Sequence, residues 1–163
     1  MLILNILGHT GVGKTTIARM IQQRLNHVVI KELSQPIKET VAVMNNQNVA
    51  WVDLYKDVES PSGMAVKEQL IAVANIGFNT RPDFWWRLPE DRVTIYSDVS
   101  HNSWLEYSNN VPTVNILVER RGHSEGEVPE VQNDSVIFNG GSLYDLETDV
   151  TKLIERTAAL KYS

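Results

Sequence analysis

Gly8-His9-Thr10-Gly11-Val12-Gly13-Lys14-Thr15 fits the pattern G-x-x-x-x-G-K-[ST], and each fixed position answers a need of polyphosphate binding. Glycines at 8, 11 and 13 let the backbone turn through positive φ and aim its N–H groups, that of Val12 included, inward without a Cβ in the way. Lys14 is placed to reach the β- and γ-phosphates as a compact cation, and the Thr15 hydroxyl to ligate Mg²⁺. A helix beginning near Gly13 adds its positive end and the amides of its first turn, Thr16 among them. The chemistry implied is capture of a nucleotide's polyphosphate, and phosphoryl transfer is the reaction that capture serves.

Transfer also needs a carboxylate near the metal and cations around the moving group. Asp98 directly follows Val93-Thr94-Ile95-Tyr96-Ser97 and so stands at a strand end, where a Walker-B carboxylate would ligate the metal; the competing role is a loop or helix cap. Arg120 and Arg121 open a polar segment, 119–134, of lid-like composition, and would meet charge in flight unless they are plain surface residues. Lys38, Arg81 and Arg87 are candidates to grip an acceptor's phosphate, although Arg87 could instead lay its stem on a tryptophan. Phe84, Trp85 and Trp86 offer flat faces for a nucleobase. Consecutive positions on one helix point different ways, so at least one of these rings belongs to the core, and Trp85 or Trp86 is the expected platform. His9, His27, His101 and His123 show no metal-ligand spacing, so no metal site of protein ligands alone is expected. Neither N-K-x-D nor D-x-x-G follows the loop, which argues against a GTPase.

The elements that must position these groups are legible. Leu2 to Leu7 is a short apolar run that suits a buried strand, and Ile17, Met20, Ile21 and Leu25 form a helical stripe behind the loop. A second strand is expected over Val28–Leu33, then a helix capped by Ser34 with Ile37, Val41 and Met44 on one face. Trp51 to Val58 is ambiguous, and Ser60-Pro61-Ser62-Gly63 is a turn cluster. A helix is expected from Met64 to Phe78, and an aromatic-rich helical segment between Pro82 and Pro89. Val93–Ser97, Val114–Val118 and Ser135–Phe138 read as further strands. Ser142 with Asp145 resembles a capping box ahead of a last helix carrying Leu143, Leu146, Val150, Leu153 and Ile154. Strands alternating with helices predict an α/β fold: a mostly parallel five-stranded sheet with helices on both faces. Its ligands belong at the carboxyl ends of the strands.

At 163 residues, with 42% hydrophobic and 21% charged residues, the chain suits one domain with a full core. A net charge of −5 weighs against stable nucleic-acid binding, and the absence of cysteine excludes disulfides and thiolate zinc. The N-terminus lacks a basic leader and no apolar run approaches the roughly 20 residues of a membrane span. No membrane association is expected, and the expected compartment is the cytoplasm.

The chain resembles the phage-type deoxynucleoside monophosphate kinases of the P-loop nucleoside monophosphate kinase superfamily. Besides the phosphate loop, the resemblance rests on ordered landmarks. Leu33-Ser34-Gln35-Pro36-Ile37-Lys38 is similar to the family's segment ending in Pro-Leu-Lys, and Arg81-Pro82-Asp83-Phe84-Trp85 to its Asp-Pro-Asp-Phe-Trp region. Ser97-Asp98-Val99 resembles the start of Ser-Asp-Val-Arg, Val118-Glu119-Arg120-Arg121-Gly122 the lid entry, and Asn139-Gly140-Gly141-Ser142-Leu143 the ending Asn-x-Gly-Ser-Leu. The resemblance implies a three-layer P-loop kinase fold in a single domain, with an acceptor-binding insertion at about 34–90. It implies Mg²⁺-dependent transfer of the γ-phosphoryl of ATP to a deoxynucleoside 5′-monophosphate. Asn139 and Gly140 would lie against adenine; a homodimer is left open, and the compartment becomes the host cytoplasm if the chain is phage-encoded. One departure stands out: Ser100 occupies the position of the family's arginine. It keeps open a kinase for a modified nucleotide or another small metabolite, and a non-catalytic nucleotide-binding protein is the third alternative.

Overall fold

The structure, a computed structural model, describes residues 1–58, 64–124 and 128–160; the turn expected at 60–63 lies outside them, as do residues 125–127 of the lid-like segment. In chain order the elements are β1 (Leu2–Leu7), α1 (Lys14–Arg24), β2 (Val28–Lys31), α2 (Gln35–Met44), α3 (Val49–Tyr55), α4 (Val66–Thr80), β3 (Val93–Tyr96), α5 (Asn102–Ser108), β4 (Thr113–Glu119), β5 (Ser135–Phe138) and α6 (Leu143–Leu160). They form two compact units, residues 1–32 with 88–163, and residues 33–87. No described helix is long and apolar enough to cross a membrane.

The first unit is built on a five-stranded sheet of order β2-β3-β1-β4-β5. Every neighbouring pair is parallel, so all five carboxyl ends share one edge. Side chains alternate across a strand. Leu4 and Ile6 of β1 join Ile95, Ile116, Val118 and Ile137 against Ile17 and Ile21 of α1 and Leu146, Val150 and Leu153 of α6. Each such fully buried aliphatic side chain contributes about 1.5–3 kcal/mol. Asn5, on the opposite face, is wholly buried and accepts from Trp104 Nε1 of α5 at 2.9 Å while donating to Asn115 Oδ1 of β4 at 3.0 Å. Helices therefore cover both faces of a parallel sheet, the α/β architecture expected from the alternation of strands and helices. The Ser142–Asp145 box closes as expected, Ser142 N–H donating to Asp145 Oδ2 at 2.8 Å and Asp145 N–H to Ser142 Oγ at 3.2 Å. Those bonds hold the Asp145 carboxyl below its ordinary value.

The second unit packs α2, α3 and α4 around Ile37, Val41, Ala42, Val52, Val66 and Val73. The ambiguous stretch after Asn48 is helical because the Asn48 side chain accepts from Trp51 N–H at 2.9 Å and caps α3. Two expectations change. Met44, at the end of α2, is 64% exposed, and Ala42 takes the core position instead. The segment 83–88 is no helix: Arg81 is extended ahead of Pro82, and the bonds Phe84 N–H to Arg81 O and Trp86 N–H to Asp83 O are those of successive tight turns. The interval between two prolines is too short to repay helix nucleation.

Candidate active site

The phosphate loop leaves β1 at the carboxyl edge of the sheet, in the first unit. Gly8, Gly11 and Gly13 have φ of 141°, 79° and 101°, a region other residues enter only with strain. Gly8 is also pressed against the Val118 carbonyl of β4, where a Cβ would not fit. Gly13 is the left-handed cap from which α1 starts. The Lys14 ammonium curls over the loop and donates to the carbonyls of Gly8, at 2.6 Å, and His9, at 2.9 Å. Burial lowers the Lys14 pKa from its ordinary value, and the Asp98 carboxylate opposes that shift. Asp98 thus brings negative charge to the lysine from just beyond the end of β3. On the same strand end Tyr96 is pushed up to about 12, first by burial and then by Asp98 and Asp91. Thr15 and Thr16 are exposed in the first turn of α1, and Val12 is buried beneath the loop.

Two other segments close on the loop. Asn139, which follows β5, donates from Nδ2 to the Val12 carbonyl at 2.8 Å, while its own N–H is bonded to Glu119 O at 2.8 Å. The same amide group occupies the space a Cβ on Gly13 would take, so Asn139 pins the loop. Gly140 is exposed and lies under the ring of Phe138, itself 50% exposed. Beyond β4, residues 120–123 form a turn closed by His123 N–H to Arg120 O at 3.3 Å, with Gly122 at φ 76° in its third position. Arg120 and Arg121 are exposed on this turn. His123 folds back so that its Cδ2 and Nε2 edge lies 3.0 and 3.4 Å from where a Gly11 Cβ would stand. Sequence reasoning missed His123, which belongs to no metal-ligand spacing; its place directly after Arg-Arg-Gly was the available signal. Among the described residues no three His, Asp or Glu side chains cluster as a metal site. Ser100 is exposed and, with His101, Asn102, Val128, Pro129 and Glu130, lines a groove of about 450 Å³ in this unit.

In the second unit the expected acceptor residues are largely engaged with one another's neighbours. Lys38 is buried and its ammonium meets Asp53 Oδ1 at 2.7 Å, so without a ligand its charge is held in an ion pair. Trp86 is 4% exposed and its ring packs on Phe78 at 5.4 Å, so it belongs to the core and is no base platform. Arg81 is exposed and pairs with Asp83 at 3.4 Å. Arg87 donates to the carbonyls of Phe84 and Trp86 at 3.2 and 2.7 Å. Trp85, half-buried, is fixed by Nε1–H to Ala74 O at 3.1 Å. Phe84, Trp85 and Arg87, with Pro36, Glu39 and Thr40 among others, line a groove of about 480 Å³. Lys38, Arg81 and Trp86 stand outside that lining.

No family model matches this chain, and no curated protein matches it. Among solved structures it is similar to the shikimate kinase of Bacteroides thetaiotaomicron, at 11% identity and a TM-score of 0.48, over 96% of this chain and 98% of that one.

Proposed function

We propose that the chain is a kinase that transfers the γ-phosphoryl of ATP to a deoxynucleoside 5′-monophosphate, giving ADP and the diphosphate. The observation that carries this reading is the loop itself: three glycines in left-handed or near-forbidden backbone, with the Lys14 ammonium folded across them and Asp98 acting on it. Lys14 exchanges its loop carbonyls for phosphate oxygens and holds the donor. Arg120 and Arg121, unburied on a turn beside the loop, swing onto the charge that develops in transfer. Thr15 and Asp98 would hold Mg²⁺, whose contribution is neutralisation of phosphate charge. The donor base lies by Asn139 and Gly140, where the exposed Phe138 ring adds an apolar face. The acceptor base is taken by residues 33–87, with Trp85 as its platform and Arg87 beside it; Arg81 is a second cation for the acceptor phosphate. Catalysis is by positioning and charge neutralisation, without a covalent intermediate.

The experiment is a coupled ADP-release assay with Mg²⁺-ATP against each deoxynucleoside monophosphate. Release that depends on one or more of them supports the reading. Ser100, at the position of the family's arginine, favours a second reading, in which the acceptor is a modified nucleotide or another small metabolite. Turnover with such an acceptor and with no ordinary deoxynucleotide would select it. Tight ATP binding with no acceptor-dependent release would instead make the chain a non-catalytic nucleotide binder.

A further inference from the structure

We propose that His123 is a ligand of the donor's phosphates, taking a proton as the triphosphate enters and donating it from Nε2. The inference rests on the reading of residues 8–15 as a triphosphate site. Its geometry is independent of the Arg120 and Arg121 side chains, which are exposed on the same turn. The imidazole edge made of Cδ2 and Nε2 lies over Gly11, the middle of the loop. Nδ1 stands 3.1 Å from the Arg121 carbonyl, which can only accept, so Nδ1 carries the hydrogen. Nε2 is then the atom left to face a ligand. The ring's placement is set by the turn, whose closing bond and positive-φ Gly122 fix where residue 123 falls.

In the neutral ring with hydrogen on Nδ1, Nε2 bears a lone pair and repels phosphate oxygen. As imidazolium it donates, and histidine is the side chain that changes charge in the physiological range. Arg120 and Arg121 are the charged groups on its own turn, and the loop on which its edge lies is the one that Lys14 crosses. An arriving triphosphate favours the imidazolium, because its oxygens accept from Nε2–H and neutralise the added charge. Nucleotide binding should therefore take up a proton that nothing in the phosphate-loop pattern itself requires.

The test is calorimetric titration of Mg²⁺-ATP and of inorganic tripolyphosphate into the full chain, its His123→Ala and His123→Gln variants, and Lys14→Ala, each in two buffers of different ionisation enthalpy. His123 lies on a surface turn, and circular dichroism will show whether both variants keep the fold. For the wild type we expect net proton uptake on binding either ligand. His123→Ala should weaken both ligands alike, by about tenfold for one charged hydrogen bond, and abolish the uptake. His123→Gln, which donates without titrating, should recover part of the affinity and none of the uptake. Unchanged tripolyphosphate affinity in His123→Ala overturns the proposal; if ATP alone weakens, the ring serves the base. A wild type that binds neither ligand removes the loop reading and this inference with it, whereas loss in Lys14→Ala alone leaves the loop standing and sinks only the role of His123.

Discussion

In the sheet-bearing unit, polar groups from four separate places in the chain converge on one loop: Lys14 from its own end, Asp98 from beyond β3, His123 from the turn after β4 and Asn139 from the end of β5. In residues 33–87 the cations are instead satisfied close to home, Lys38 by Asp53, Arg81 by Asp83 and Arg87 by two carbonyls of its own turn. A parallel sheet explains the first pattern, because it delivers every strand's carboxyl end to the same edge. A small helical unit has no such edge. Its apolar faces make a core, and what it offers a ligand is a groove walled by Phe84 and Trp85 more than a ring of free charge.

The contrast breaks most visibly at Lys14. Lys14→Ala should lower acceptor-dependent ADP release by on the order of 10³-fold, as loss of a group that stabilises transferred charge does, with the circular dichroism spectrum unchanged. Among the described residues Lys14 bonds loop carbonyls and no core side chain, so its removal leaves the core intact. Next is the support beneath the site. Trp104→Phe deletes the donor to buried Asn5 Oδ1, and chemical denaturation should show a loss of about 1–3 kcal/mol.

A third prediction concerns alkaline pH. Tyr96 is raised from 10.0 to about 12 in the folded chain, so its contribution to stability is present in full below pH 10 and is lost as pH rises through about 12. Ultraviolet titration should show one tyrosine ionising late, and Tyr96→Phe should remove that step. The smallest effect is expected in the other unit. Lys38→Met replaces a pair whose carboxylate is half in solvent, and should change stability by about 1 kcal/mol or less without altering the KM of the acceptor. A large rise in that KM would return Lys38 to the acceptor site and blur the difference between the units.

The phosphate loop and the sheet were legible because both are written locally. The glycine spacing, the apolar runs and the stripe on α1 each carry their meaning within a dozen residues. The Ser142–Asp145 cap was legible for the same reason. What escaped depends on how separate elements pack against one another. Trp86 reads like its neighbour Trp85, and only packing against Phe78 assigns it to the core. Lys38 reads as a free cation until α3 brings Asp53 to it. His123 has no motif of its own; a turn folds it onto Gly11. α5 was not expected: at seven residues it is too short to show a helical stripe, and the packing of Trp104 and Leu105 is what makes it one.

Calorimetric titration of Mg²⁺-ATP into the wild type and into Lys14→Ala addresses the loop directly. The wild type should bind at one site, and the variant at least tenfold more weakly. Absence of binding to the wild type, or equal affinity in the two, would contradict the assignment of residues 8–15 to a triphosphate.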